Sequence, residues 1–297
     1  MKMIDLHADD YAYSIHTSKD ILDCLSFEVL DSISIICNMS CFEESMDLFY
    51  DAIPSLKKLP LMSVHLNLCE GYQSDERLPM SWGKLFLASY ALGRNRIKVI
   101  LKQEIRRQLL ETQKVIEKCI FIAEANNVPV SQKGLRIDSH IHTPPIPVVW
   151  ESLMEVIEEE KLDVEYIRSP HELLSVYLKE TSLWKTYHPV NFLKNRILAF
   201  YSRKIDRYNR KHGQKDMYLW GLVMSLHMDF DRIKVLWSAM NEKAEADQRD
   251  LELLFHPGQA LENEYSPEKN RQYYEESNTS KNRAIEKESL FRLKEFR

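Results

Sequence analysis

Residues 3–14 read Met3-Ile-Asp-Leu-His-Ala-Asp9-Asp10-Tyr-Ala-Tyr-Ser14, a short apolar-patterned segment that runs straight into two adjacent carboxylates. A run of about half a dozen such residues has the usual length of a strand. Strand ends are where α/β folds concentrate chemistry. Two neighbouring acids repel, and they ionise together only if a cation or hydrogen-bond donors sit between them. The stretch therefore marks both the first strand of a sheet and a candidate site at its carboxyl end.

The same grammar repeats downstream. Ser32-Ile-Ser-Ile-Ile36 alternates and is β-branched, Leu61 to Leu68 forms a third strand, and Leu135 to His140 a fourth. Val164 to Arg168, Tyr218 to Met224 and Leu251 to Phe255 complete the strands. Helical patterns lie between them, over Cys41 to Ile53, Trp82 to Asn127 with a break around Gly93-Arg94-Asn95, from about Val148, over Val190 to Tyr208 and over Asp231 to Ala246. Strands alternating with helices predict a parallel sheet. No repeat or low-complexity linker divides the body, so a single domain over residues 1–262 is expected, followed by a charged tail over 263–297 with a terminal helix from Lys281.

Composition narrows the function classes. The 297 residues are 44% hydrophobic and 29% charged, the profile of a globular protein with a full core. With 40 basic residues against 45 acidic ones the formal net charge is −5, so no overall positive field draws nucleic acid or anionic lipid, and neither nucleic acid nor membrane is expected as a partner. Acids by position 5, no apolar leader and no membrane-length apolar run make a cytoplasmic location the expectation. Five cysteines without a C-x-x-C pair predict reduced thiols; Cys37 and Cys41 lack the second pair a metal scheme needs.

The polar residues able to do chemistry recur at strand ends: Asp9 and Asp10, His65, Asp138 and His140, and His256. In parallel α/β sheets these ends converge on one face. One carboxylate and two imidazoles suit a divalent cation, and Asp10, His65 and His140 could supply that set, leaving the neighbouring acid as a general base. An Asp-His-His set accepts Mg or Zn, and Mn or Fe as well. On an extended chain His142 faces the same side as His140, as a residue behind the ligands, as a substrate contact, or as a solvent-facing loop histidine. Arg168 could orient an acid or substrate oxygen, or form an ordinary ion pair. Tyr11, Tyr13, Trp82, Trp150 and Trp220 could stack on a sugar ring or fill core.

His7-Ala-Asp9-Asp10-Tyr11, Val64-His65-Leu66-Asn67-Leu68 with Glu70-Gly71, Ile137-Asp138-Ser139-His140 with His142, and Phe255-His256-Pro257-Gly258 together resemble the ordered motifs of YdjC-like carbohydrate deacetylases, including chitooligosaccharide deacetylases. The resemblance spans roughly positions 3 to 260. It implies a single-domain, irregular (β/α) barrel with its active site at the carboxyl ends of the strands, and a metal-dependent hydrolase that removes N-acetyl groups from N-acetylglucosamine-containing oligosaccharides. Asp10, His65 and His140 are then the implied metal ligands and Asp9 the implied base. His256 is the candidate acid for the departing amine, with a structural role ahead of the Pro-Gly turn as its alternative.

Three positions depart from the family pattern. Ala12 and Leu226, the latter before His227, stand where glycine is usual, and Pro144 follows the His140-Ile-His142 run where many relatives carry a further histidine. Competing expectations are a non-catalytic relative that binds sugar or a partner protein, and another metal-dependent hydrolase such as a phosphoesterase. The absence of a basic or Gly-rich phosphate cradle weighs against the last. A homodimer is the default prior for such an enzyme.

Overall fold

Alternation along each strand separates two faces, and both are buried. The computed structural model describes residues 3–296. In chain order the main elements are β1 (Ile4–Tyr11), α1 (Ile15–Ser26), β2 (Ser32–Ile35), α2 (Phe42–Ala52), β3 (Leu61–Leu66), α3 (Trp82–Ala88), α4 (Arg94–Ala125), β4 (Leu135–Ser139), α5 (Pro147–Glu159), β5 (Val164–Ile167), α6 (Leu174–Lys179), α7 (Pro189–Lys211), β6 (Met217–Trp220), α8 (Phe230–Ala246), β7 (Asp250–Phe255), α9 (Arg271–Tyr273) and α10 (Asn282–Phe296). All seven strands pair in parallel in one sheet of order β5-β4-β3-β2-β1-β7-β6, with helices interleaved. The result is a single-domain α/β fold, a curled half-barrel.

One face of the strands is apolar: Leu6 and Ala8 on β1, Ile33 and Ile35 on β2, and Leu251, Leu253 and Phe255 on β7 join the main hydrophobic cluster. The other face is polar, with Asp5 and His7 on β1, Ser32 and Ser34 on β2, His65 on β3, Arg136 and Asp138 on β4, and Glu252 on β7, none more than 2% exposed. Polar groups buried this deeply must be paired. Most are linked to one another: Ser32 donates to Asp5, His7 shares its two ring nitrogens between Ser32 and Ser34 at 2.6 Å, Ser34 donates to Asp138, and Arg136 donates from Nη2 to Asp5 at 3.1 Å, its Nε and Nη1 having no hydrogen-bond partner among the described residues. The inner face is thus one hydrogen-bonded network leading up to the strand ends.

Several expected boundaries shift for identifiable reasons. The strand expected to run to Met224 ends at Trp220, because Gly221 has φ +145° and the buried Glu172 carboxylate captures the backbone N–H groups of Gly221, Leu222 and Val223. His140 to His142 is a tight turn with Ile141 at φ +50° and His142 at φ +56°, so the extended-chain argument that put both imidazoles on one side does not apply. His142 is buried rather than solvent-facing. The break expected near Gly93 separates α3 from α4. All five cysteines are free thiols. Tyr11, Tyr13 and Trp220 are fully buried, Tyr11 donating to the Ser45 carbonyl and packing on Phe49, so these three fill core.

Residues 263–296 pack on the barrel: Leu290 and Leu293 of α10 join the main cluster, and Lys287 pairs with Asp20 and Asp23 of α1. Charge patterning obscured this, since the buried residues are spaced among many exposed acids and bases. Among the described residues no helix is long and apolar enough to cross a membrane.

Candidate metal and catalytic site

Adjacent residues of a strand ordinarily point to opposite faces. Asp9 and Asp10 escape this rule through a bulge. Ala8 pairs with Ile33 and Tyr11 with Ile35, so β1 carries one residue more than β2 over this step, and Asp10 takes φ +71°. An extra residue re-aims the chain at the end of a strand. Both carboxylates consequently reach the same buried site, 3% and 1% exposed.

There they acquire separate partners. Arg168 donates from Nη1 to both oxygens of Asp9, at 2.8 and 3.0 Å, and His7 Nε2 lies 3.1 Å from Asp9 Oδ1. Arg283, from α10, donates to Asp10 Oδ2 at 2.7 Å. Each acid has its own guanidinium, which resolves the repulsion anticipated from the sequence. Burial alone would raise both carboxyl pKa values. The charge of Arg168, helped by His65 and His7, instead holds Asp9 well below the usual range, and Arg283 with His140 and His65 does the same for Asp10.

His65 and His140 complete a cluster with Asp10 in which one ligating atom from each lies within 4.8 Å of the others. His140 Nδ1 is 3.1 Å and His65 Nε2 3.6 Å from Asp10 Oδ1. The other nitrogen of His65, Nδ1, is held by Asp138 at 2.6 Å. That carboxylate–imidazole pairing fixes the ring and turns Nε2 toward Asp10. Burial disfavours the His65 imidazolium, but Asp9, Asp138 and Asp10 outweigh it and pull its pKa up to about 10 in the metal-free protein. His140 Nε2 is buried and has no hydrogen-bond partner among the described residues.

The donor set and the unpaired buried nitrogen fit a divalent cation. A second group, His7, Asp9 and Asp138, is equally close-set, but Arg168 already bonds Asp9 and lies 3.2 Å from Asp138, filling it with permanent positive charge. Arg168 also donates to Glu252. It is the hub of three buried carboxylates rather than an ordinary surface ion pair.

Around this centre Tyr13 stacks on His140 and donates to Glu70 at 2.8 Å, while Tyr273 of α9 meets His140 edge-on at 5.3 Å. Gly71 has no substitute: a β-carbon there would lie 2.4 Å from the Asn38 carbonyl oxygen. Ala12 and Leu226, the two departures from glycine, both sit at positive φ, +69° and +59°. Ala12 keeps the conformation because Ser18 Oγ accepts its N–H at 3.0 Å and Cys41 donates to its carbonyl. His256 lies one residue beyond Phe255, the partner of Ala8, and so at the same sheet end as the acid pair. Its backbone N–H donates to Glu286 at 2.6 Å and its Nδ1 is 3.5 Å from the same carboxylate. Trp82 donates to the His142 carbonyl at 3.4 Å and lines a cavity of about 390 Å³ with Ile141, Lys194 and apolar residues of α7.

Sequence reasoning did not find Arg283, Tyr273 or Glu286, all in the segment it set apart as a tail. The one available signal was a terminal helical pattern carrying apolar residues at Leu290 and Leu293.

The architecture and the buried carboxylate–imidazole centre define a parallel α/β half-barrel with a metal-competent site at its strand ends. Residues 3–118, which hold Asp9, Asp10 and His65, match the family described as YdjC-like protein, so the resemblance drawn from the motifs is shown over that stretch. His140 and His256 lie outside it. The chain is 26% identical over 171 residues to a carbohydrate deacetylase of Xenopus laevis, covering 56% of this chain and 50% of that protein. It therefore spans about half the length of the curated relative it matches. A solved structure of a proposed cellobiose-phosphate cleavage protein from Enterococcus faecalis V583 superposes with a TM-score of 0.45 at 14% identity, covering 97% of this chain and 95% of that one.

Proposed function

We propose that this protein is a metal-dependent carbohydrate deacetylase that hydrolyses the N-acetyl group of N-acetylglucosamine-containing oligosaccharides. The observation that carries the reading is the Asp10, His65 and His140 cluster beside an independently held Asp9. The similarity of residues 3–118 to the YdjC-like family, and of the chain to a carbohydrate deacetylase, supports it.

In this reading Asp10, His65 and His140 hold a divalent cation. When bound, such an ion supplies Lewis acidity to the amide carbonyl and lowers the pKa of water. Asp138 keeps the His65 ring in place through its 2.6 Å bond to Nδ1, and Arg283 anchors Asp10 by the oxygen turned away from the imidazoles. Asp9 is ionised at neutral pH and accepts the proton of the attacking water at a carboxylate oxygen, with Arg168 fixing both oxygens in position. His256 donates a proton to the departing amine.

Incubation of the purified protein with Mg, Zn or Mn and a panel of short N-acetylglucosamine oligomers tests the reading. Acetate release is expected, together with an Asp9→Asn variant that binds metal by calorimetry but turns over no substrate. Metal binding without acetate release from any oligomer sinks the deacetylase assignment. Full activity in Asp9→Asn removes the base.

A further inference from the structure

The chain-average charge of −5 conceals a strongly basic element. Helix α7 carries seven basic residues against the single acid Asp206, which is itself buried. Arg196, Arg203 and Arg207 are exposed and form no ion pair among the described residues. The helix buries one face through Leu198, Ser202, Ile205 and Asn209. On the solvent side Val190, Leu193, Ile197 and Phe200, spaced as one stripe, are 61%, 63%, 37% and 61% exposed.

Such a stripe on the solvent face is the reverse of ordinary amphipathicity and marks an interaction surface. The neighbouring α3 segment extends it. Tyr90 and Tyr201 hydroxyls meet at 3.3 Å and Phe86 packs on Tyr201, so this segment lies against α7, and its Leu87 and Leu92 are exposed. Val190, Leu193 and Ile197 also line the cavity that includes Ile141, between His140 and His142. The apolar face and the mouth beside the candidate site are therefore one continuous surface.

We propose that α7 and the adjoining end of α3 form a peripheral membrane-binding face that seats the mouth of the cavity on an anionic lipid surface. An exposed apolar stripe with Arg and Lys along its flank is the pattern of helices that lie in the plane of the lipid interface. Apolar side chains enter the acyl boundary, and the arginines meet lipid phosphates and carboxylates. A second copy of the chain fits less well, because antiparallel packing of α7 on its own copy sets the same arginine row against itself. The face does not depend on the chemistry performed at the strand ends.

Co-sedimentation of the full chain with lipid vesicles tests this. Vesicles of phosphatidylcholine with about one-third phosphatidylserine should bind at least tenfold more protein than phosphatidylcholine alone, at physiological salt. The double variant Arg203→Glu/Arg207→Glu should abolish the preference for the anionic vesicles. Leu193→Ser/Phe200→Ser should lower binding by about tenfold, with melting temperature unchanged because these side chains are exposed. Equal sedimentation with both vesicle types, or binding that neither double variant reduces, overturns the proposal. So does a solution dimer that Leu193→Ser/Phe200→Ser converts to monomer, which assigns the face to a second copy.

Discussion

Arg283 Nη2 donates to Asp10 Oδ2 at 2.7 Å although the two residues stand 273 positions apart, one on α10 and the other in the β1 bulge. Both side chains are completely buried, so this pair joins the last helix to the first strand at the candidate centre. Removing one member of a buried pair leaves the other charge unpaired. Arg283→Met should cost about 3–5 kcal/mol in denaturant unfolding. Arg283→Lys should recover part of that loss, since it restores the charge without the fork geometry. Unchanged stability in Arg283→Met would show that Asp10 finds another partner.

Asp138 offers a test of how the candidate ligand His65 is held. Asp138→Asn keeps the shape but weakens the bond that orients His65, and metal affinity measured by calorimetry should fall about 10–100-fold. A change of less than about twofold would place ring orientation elsewhere.

Four helices, α1, α4, α5 and α8, are followed by a non-glycine residue in the left-handed conformation that glycine adopts most easily, Glu28, Asn127, Lys161 and Gln248. Lys161 follows α5 and Gln248 follows α8, at φ +52° and +56°, each within a closing turn whose next N–H reaches back into the helix, Leu162 to Ile157 and Arg249 to Ala244. Both are exposed, so little packing is lost on truncation. Lys161→Gly and Gln248→Gly should each stabilise the fold by about 0.5–1 kcal/mol, read as a shift in urea midpoint at constant slope. The same argument at Ala12 is offset by its buried methyl group.

Asp206 should contribute to acid lability. Burial raises its carboxyl pKa, but His171 at 2.8 Å and Arg249 at 3.1 Å bring it below the ordinary value. A carboxyl depressed in the folded state adds stability above its unfolded pKa of about 3.9, and that contribution disappears as pH falls through the folded value. Asp206→Asn should therefore be less stable than wild type at pH 7, with the difference shrinking below about pH 4. Parallel stability curves for the two proteins across that window would refute the linkage.

Local pattern was enough to place the strands and the longer helices from α2 onward, because alternation of period two and helical spacing are properties of a few consecutive residues; the short α6 and α9 left no such pattern. Ser32 to Ile35 and Leu251 to Phe255 show this most plainly. The candidate ligands Asp10, His65 and His140 could also be nominated from sequence, since each stands at or near the end of a legible strand and parallel strands bring such ends together.

What the tertiary structure alone decided was who partners whom. The bulge that turns Asp10 beside Asp9 depends on the register between β1 and β2, which no short stretch specifies. Arg168 becomes a hub because the half-barrel's curl brings β5 to β1 and β7. Arg283 reaches Asp10 because α10 buries Leu290 and Leu293 against the barrel, and that burial, not local charge, chooses its place. Desolvation makes these long-range pairings obligatory, since a buried carboxylate left alone is far more costly than one held by a guanidinium.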